Sequence, residues 1–365
     1  MSKVFKKIYH LLISTKTMAV LFVIFALAMA IATFIENDFG TPTARTLIYN
    51  SWWFEAIMIL LAVNLIGNII RFKMYQKKKW PVFLFHIAFL LILVGAGITR
   101  YISFEGMMPI REGETTDTFL SDKVFLKVHI DDGIDQINPP IEKVLKLSAI
   151  DVPFLTDNHY KTEIDFKGKP VKIEVLNFVP HAKDTLILDP KGDWHLQFVV
   201  STPQGRQNIY LPDGKQISVG DKHLAFNNTY PDAINVFIKN DSLFLLSPYK
   251  GTYMRMQDQK RFNVPKDSIV PFHLASLYQL NGLNFVVPQG PVRGHLQNIS
   301  GDKNANLSDL LQVKVTSGNQ EKIVGLSGGQ GQPENPKIFQ LNGLNFRMSY
   351  GSVFRHLPFQ IKLRD

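Results

Sequence analysis

The stretch that decides the fold is an apolar run at residues 80–98, which reads WPVFLFHIAFLLILVGAGI. A helix needs roughly 20 apolar residues to cross the core of a bilayer, so this run predicts a membrane span. His86 is the one ionisable side chain in the run. Because an ionisable group inside a membrane is costly, His86 is a candidate functional residue.

Two further apolar runs precede this one, and together they predict three transmembrane α-helices, at about residues 18–35, 52–70 and 81–100. The three helices form an N-terminal membrane region, residues 1–101. The first run has features of a cleaved signal peptide, but it continues through Phe34 and Ile35 and two more spans follow. We therefore expect it to be retained. Trp52 and Trp53 resemble the aromatic anchors that lie at membrane interfaces.

The distribution of positive charge predicts the topology. The net charge is +9, and the densest basic runs, at residues 3–7 and 71–79, flank apolar spans. They are topology signals rather than a nucleic-acid footprint, and they place the amino terminus in the cytoplasm. The third span then runs outward, and all that follows Tyr101 is extracytoplasmic. Glu36 and Arg100 both fall at the outer surface, where we expect them to pair.

Residues 102–365 have the pattern of a large extracytoplasmic all-β domain, built as a sandwich or a barrel-like sheet. Apolar and polar residues alternate at 125–130, 171–175 and 311–315, and turn sequences separate such runs. The best candidates for short helices are residues 273–280 and 304–311. The last strand pattern stops abruptly, so we expect the native chain to continue beyond it.

A short sequence occurs twice in this β-rich region. QLNGLNF stands at residues 279–285 and again at 340–346. Asn-Gly between apolar residues predicts a tight β-hairpin, because both residues tolerate positive φ. We interpret the echo as a reused hairpin rather than a duplicated domain.

Several chemistries are excluded. The chain has no cysteine, which removes disulfides, thiolate metal sites and cysteine nucleophiles. The sequence GLSGG at 325–329 fits the pattern of a hydrolase nucleophile, but Gln330 to Pro333 cannot begin the helix that such a site requires. The remaining histidines show no metal-binding spacing.

Asn64 is the polar residue of the second span that matches His86 in depth. His86 lies seven residues after Lys79 and Asn64 seven before Arg71, so both lie similarly far from the cytoplasmic surface. In one interpretation the two side chains hydrogen-bond and help the helices associate. In the other, His86 is an axial ligand of haem or a metal, and Asn64 interacts with His86 without contacting the metal. A single histidine cannot close a metal site, so the second interpretation needs another ligand from elsewhere.

Small and polar residues also form a stripe on the second span. Asn64 and Asn68 are four residues apart and Gly67 lies between them. Such a stripe favours close contact with another helix. Packing is therefore the first expectation for these three positions.

The chain resembles the ResB-like (CcsB) proteins of the system II pathway of cytochrome c biogenesis, in the form found at the front of fused CcsB–CcsA proteins. The matching pieces are FGT at 39–41, SWWF at 51–54, NL at 64–65, Arg71, His86, EG at 105–106, REGE at 111–114 and LPFQIKL at 357–363. The middle of the outer domain resembles the family only in being β-rich. The resemblance implies a further transmembrane helix after the outer domain, before which this sequence stops.

The resemblance implies half of a cytochrome c synthase, non-catalytic on its own. It implies a bacterial inner-membrane protein with a periplasmic domain that works with a CcsA-type partner, apocytochrome c and a thioredoxin-like reductant, and not with nucleic acid. Haem b would be the transported substrate, with His86 as an axial ligand opposite a histidine of the partner and Asn64 supporting His86 from behind. The alternative is a membrane-anchored β-domain scaffold protein that handles no haem.

Overall fold

The structure is a computed structural model, and it describes residues 9–137, 139–202, 205–303, 305 and 307–364. The lysines of the first basic run lie outside these residues. Three long helices begin the described chain: α1 (Thr15–Phe39), α2 (Trp52–Arg71) and α3 (Trp80–Tyr101). Each is long and apolar enough to cross a membrane, which confirms the predicted N-terminal set of three spans.

Local sequence explains where the helices begin and end. The hydroxyl oxygens of Ser14 and Ser51 accept hydrogen bonds from backbone N–H groups three residues further on, at 3.0 and 3.4 Å, and so cap α1 and α2. Pro81 lies in the first turn of α3, where a missing N–H costs nothing. Gly40 ends α1 with φ of +84°, and a short helix (Thr41–Ala44) with a π-helical turn (Arg45–Tyr49) leads on to α2.

The described residues after α3 form β-strands. In chain order these are β1 (Gly106–Met107), β2 (Thr115–Asp131), β3 (Ile141–Val144), β4 (Lys161–Phe166), β5 (Lys169–Val179), β6 (Ala182–Thr202), β7 (Gly205–Pro212), β8 (Gln216–Val219), β9 (Lys222–Phe226), β10 (Ala233–Lys239), β11 (Ser242–Leu246), β12 (Gly251–Arg255), β13 (Arg261–Val264), β14 (Ile269–Pro271), β15 (Ser276–Leu280), β16 (Leu283–Val286), β17 (Val292–Ser300), β18 (Asp309–Ser317), β19 (Gln320–Gly328), β20 (Lys337–Leu341) and β21 (Leu344–Lys362).

The chain divides into two compact units, and the first comprises residues 1–182 and 300–365. Besides the helices it holds two antiparallel sheets, ordered β1-β2-β21-β20, with β3 also paired to β2, and β19-β18-β5-β4. Alternate residues of both sheets enter one core: Leu126, Val128, Ile130, Val171, Ile173, Val175, Leu311, Val313 and Val315. Because every second residue of a strand faces the same side, the two sheets form a sandwich.

The second unit, residues 183–299, is inserted between the two parts of the first. Its sheets run β14-β11-β10-β9-β8 and β13-β12-β15-β16-β6-β17, with β7 also paired to β6. The pairing of β9 with β10 is parallel. An aromatic core includes Phe198, Tyr278 and Phe285. Within the described residues no sheet closes on itself, so the all-β prediction is confirmed as open, largely antiparallel sheets rather than a barrel.

Both Asn-Gly hairpins are confirmed. Leu280 pairs with Leu283, and Leu341 pairs with Leu344, so each loop consists of the two residues Asn and Gly. All four loop residues have positive φ, as a tight hairpin turn requires. The expected short helices are wrong: 276–280 is a strand, and so is the part of 304–311 that begins at Asp309. Strand pairing overrides weak local helix preference in both places.

Gly328 generates the first prediction, because a Cβ there would lie 1.9 Å from the Tyr350 carbonyl oxygen. The backbone of Tyr350 cannot move aside as easily as a flexible side chain can. Gly328→Ala is therefore expected to lower the free energy of unfolding by about 1–3 kcal/mol. Thermal unfolding followed by circular dichroism in detergent measures the change.

Gly325→Ala is the matched control in the same strand, since its Cβ would meet the flexible end of Leu310 at 3.2 Å. A Gly328→Ala protein as stable as Gly325→Ala would contradict the close approach of β19 and β21.

Candidate functional site

His86 projects from α3, a helix with no buried residue along its length. Its Nδ1 lies 2.8 Å from the Val82 carbonyl oxygen, one turn earlier. A carbonyl oxygen only accepts, so this contact assigns the imidazole proton to Nδ1. In the neutral ring Nε2 then carries a free lone pair, which is the form of histidine that binds a metal. His86 is therefore a candidate nitrogen ligand, oriented by its own helix on the partly buried face of α3 that also carries Arg100.

Asn64 occupies a different environment from His86. Its side chain is fully buried, and its amide donates to the Leu12 and Ser14 carbonyl oxygens, the latter at 3.1 Å. Its Oδ1 accepts from the Asn68 amide at 2.6 Å. Within the described residues the amide is thus engaged by the approach to α1 and by α2 itself, not by His86. The supporting role of Asn64 behind His86 stays a prediction.

Gly67 completes the stripe that the sequence indicated. A Cβ at this position would lie 2.0 Å from Cγ2 of Ile13, so the chain before α1 packs directly onto the α2 backbone. Close packing at small residues is how helices associate where no water drives them together. The expected contact surface of α2 is confirmed, and its partner is the segment that leads into α1.

Arg100 ends α3 with a different partner from the one expected. It pairs with Glu55 of α2 at 3.2 Å and donates to the carbonyl oxygens of Tyr49 and Asn50 at 2.8 and 3.0 Å. Glu36 instead accepts from the hydroxyl of a threonine five residues later. The expected pairing with Glu36 is wrong because Arg100 reaches the unpaired carbonyls that end the π-helical turn.

The turn between α1 and α2 also holds the β region of its own unit. Arg45 forms an ion pair with Asp122, and the Thr46 hydroxyl donates to the Leu147 carbonyl oxygen at 3.0 Å. The hydroxyl of Thr43 accepts from a backbone N–H two residues beyond Leu147, at 3.2 Å. Sequence reasoning missed these residues, because two threonines and an arginine in a short loop carry no periodic signal.

A buried polar cluster lies in the first unit outside the helices. Asp309 Oδ1 accepts from the backbone N–H of His181 at 2.9 Å, and Tyr350 Oη lies 3.4 Å from Oδ2. Burial raises the pKa of the Asp309 carboxyl, although the N–H of His181 opposes the shift. Because His181 has φ of +47°, Asp309 holds a residue in an unfavourable backbone conformation. The cluster is structural.

Within the described residues, neither the surroundings of His86 nor the Asp309 cluster forms a complete metal site. Across the described ranges, no group of three or more histidine, aspartate and glutamate residues could hold a metal ion. The GLSGG sequence lies at the end of β19 and in the loop after it, with no helix following, as expected. The role of His86 as a ligand stays a prediction.

Comparison with known proteins defines the class. Residues 76–175 match the ResB-like family, so this part of the chain, which runs from before α3 into β5 and contains His86, is ResB-like. The resemblance found in the sequence is confirmed over this part. The chain is also similar to Protein NrfI of Wolinella succinogenes, with 52% identity over 126 residues. That alignment covers 34% of this chain and 14% of the relative. The similarity supports a role in cytochrome c biogenesis for a membrane protein.

The Asn64 network predicts a packing defect. Asn64→Ala removes the amide that donates to the Leu12 carbonyl oxygen and shares the Ser14 carbonyl oxygen with the Met18 N–H, so we expect a loss of about 1 kcal/mol of stability. Unfolding by sodium dodecyl sulfate in mixed micelles measures it. Val63→Ala, at a lipid-facing neighbour, is the control. Equal midpoints for the two variants would show that the buried amide adds nothing.

Asp309 predicts a pH dependence of stability. Its folded-state pKa is raised, so the folded carboxyl holds its proton more tightly than the unfolded one, and stability falls as pH rises above the ordinary value of 3.8. The Asp309→Asn variant has no carboxyl to ionise at this position, so its stability does not fall for this reason. We expect the Asp309→Asn variant to melt above wild type at about pH 7 and level with it at about pH 3. Melting curves at both pH values test this.

Asp165→Asn serves as a control at an exposed turn of the same unit. If the melting temperatures of Asp309→Asn and wild type differ by the same amount at both pH values, titration of the Asp309 carboxyl is not the cause of the difference.

Proposed function

We propose that this chain is the CcsB-type part of a system II cytochrome c synthase. With a CcsA-type partner it carries haem b across the bacterial inner membrane and supports its attachment to apocytochrome c. The observation that carries the proposal is that the ResB-like match includes α3, whose His86 uses Nδ1 to bond the Val82 carbonyl oxygen and leaves Nε2 for a ligand.

The chemistry of His86 suits a transient haem ligand. A neutral imidazole binds haem iron through one nitrogen, and the bond from Nδ1 to the Val82 carbonyl fixes which nitrogen that is. The second axial ligand comes from a histidine of the partner, so the site is complete only in the complex.

The β region provides the extracytoplasmic part of the proposal. It extends on the side of the membrane where α3 ends, which the basic loop before α3 assigns to the periplasm. There it presents apocytochrome c, whose cysteines a thioredoxin-like protein keeps reduced. This chain has no cysteine and forms no thioether bond itself, so bond formation belongs to the complex with the CcsA-type partner.

Haem content tests the proposal. The protein is expressed with its natural partner, purified, and examined for a Soret band. His86→Ala is expected to lower the haem bound per protein by about tenfold, because the loss of one ligand contact is worth on the order of 1.4 kcal/mol or more. Leu84→Ala, at an exposed neighbour on the same helix, should retain wild-type haem.

Imidazole adds a second measurement to the same test. In His86→Gly, added imidazole should restore part of the Soret absorbance, since the small ring replaces the missing ligand. Undiminished haem in well-folded His86→Ala protein would refute the ligand assignment. Haem absent from repeated preparations of the complete complex would favour the scaffold function instead.

A further inference from the structure

A loop of the β region packs against the transmembrane helices of its own unit. Three of its apolar residues, Ile150, Val152 and Leu155, lie against one cluster. The buried members of that cluster are Ala28, Ala32, Leu47, Ile48 and Phe54. Ala28 and Ala32 belong to α1, Leu47 and Ile48 to the π-helical turn, and Phe54 to α2, so the loop packs where the β region of this unit meets the membrane helices.

Phe154 is the exception within this loop. Its neighbours Val152 and Leu155 are packed, yet its own ring is 97% exposed. Its φ is +68°, a conformation that costs an aromatic residue free energy. The N–H groups of Leu155 and Thr156 both donate to the Val152 carbonyl oxygen at 3.1 Å and hold the turn that imposes this conformation. The loop thus keeps a large apolar ring pointing outward at a cost in backbone strain.

Two lysines border the same ring. Lys143 and Lys146 line one cavity with Phe154, of about 410 Å³. The Lys146 Nζ lies 3.4 Å from the Asn50 carbonyl oxygen, just before α2 begins, so its charge is close to the helix ends. An aromatic ring with lysines beside it is the composition of a membrane interface, where the ring meets acyl chains and the ammonium groups meet phosphates.

The acidic residues of the loop are compatible with a location at the membrane interface. Asp151 accepts from the Thr156 hydroxyl at 2.6 Å and lies 3.0 Å from Nε2 of His159. Asp157 accepts from the backbone N–H of Lys146 at 2.8 Å. Both carboxylates are therefore engaged within the loop and its base.

We propose that Phe154 anchors this loop in the lipid leaflet on the β-region side of the membrane. The ring lies among the upper acyl chains, and Lys143 and Lys146 contact lipid phosphates. The occupant is lipid because the loop packs on the same cluster as the membrane helices, and the exposed surface of those helices is apolar, as at Ile31 and Phe34 of α1.

Spin-label depth measurements test the anchor. The chain has no cysteine, so Phe154→Cys can be labelled alone in the complete protein. The protein is reconstituted into nanodiscs of phosphatidylcholine with phosphatidylglycerol. Power saturation then compares collisions with oxygen, which enters lipid, and with a polar nickel chelate, which does not. We expect collisions with the chelate to be at least about threefold fewer at residue 154 than at an aqueous site.

The aqueous site is Ile134→Cys, at a side chain that is 90% exposed in the turn after β2. That turn is fixed by Asp132, which accepts from the N–H groups of Ile134 and Asp135. It lies at the end of the β2–β3 hairpin opposite to Leu147, which contacts the helices. Ile31→Cys on α1 provides the membrane reference. Chelate access at residue 154 equal to that at residue 134 would overturn the anchor.

A label-free variant separates lipid from a protein occupant. In vesicles of brominated phosphatidylcholine, Phe154→Trp should lose more fluorescence than Ile134→Trp, relative to unbrominated vesicles. Lys143→Gln with Lys146→Gln should move the residue 154 label toward water only when phosphatidylglycerol is present. Protection of residue 154 in native membranes but not in nanodiscs would mean that a protein covers the ring, and would overturn the proposal.

Discussion

The structure of the first unit depends on how Arg100 satisfies the carbonyl groups that end the turn between α1 and α2. Such groups have no partner within the turn, and water is scarce near a membrane. Arg100 donates to Tyr49 and Asn50 and also pairs with Glu55, so it joins α3, the turn and α2 at one point. The same turn holds the β region through Thr46 and Leu147. Moving any one of these elements would expose polar groups on the others.

Polar groups inside the helices divide into two kinds. The Asn64 amide has all its partners within the chain, and its removal leaves other groups unsatisfied. His86 has one nitrogen engaged and one free. A polar atom without a partner inside a membrane is costly, and such atoms are retained in membrane proteins where they meet a substrate or a partner. This contrast is the physical basis for proposing a packing role for Asn64 and a ligand role for His86.

The general architecture could be predicted from sequence because it follows from length and period. Apolar runs of bilayer length indicated the helices, and alternation indicated strands such as β2 and β18. The Asn-Gly hairpins followed from backbone preference alone. The partners of Arg100 and Asn64 could not be predicted, since depth along a helix does not determine which neighbour lies at a given rotation. The insertion of one unit within the other was likewise hidden, because alternation does not encode which strands pair.

The pairing of β2 with β21 determines the order in which the chain can fold. Arg355 of β21 donates a hydrogen bond to Glu142 of β3, which lies 213 residues earlier in the sequence. β2 therefore leaves the ribosome long before the strand that covers its edge. Residues 183–299 are contiguous and can form their own core meanwhile, while the edge of β2 that β21 will cover stays unpaired. An unpaired strand edge invites aggregation, so the first unit is the part of this protein that needs protection during synthesis.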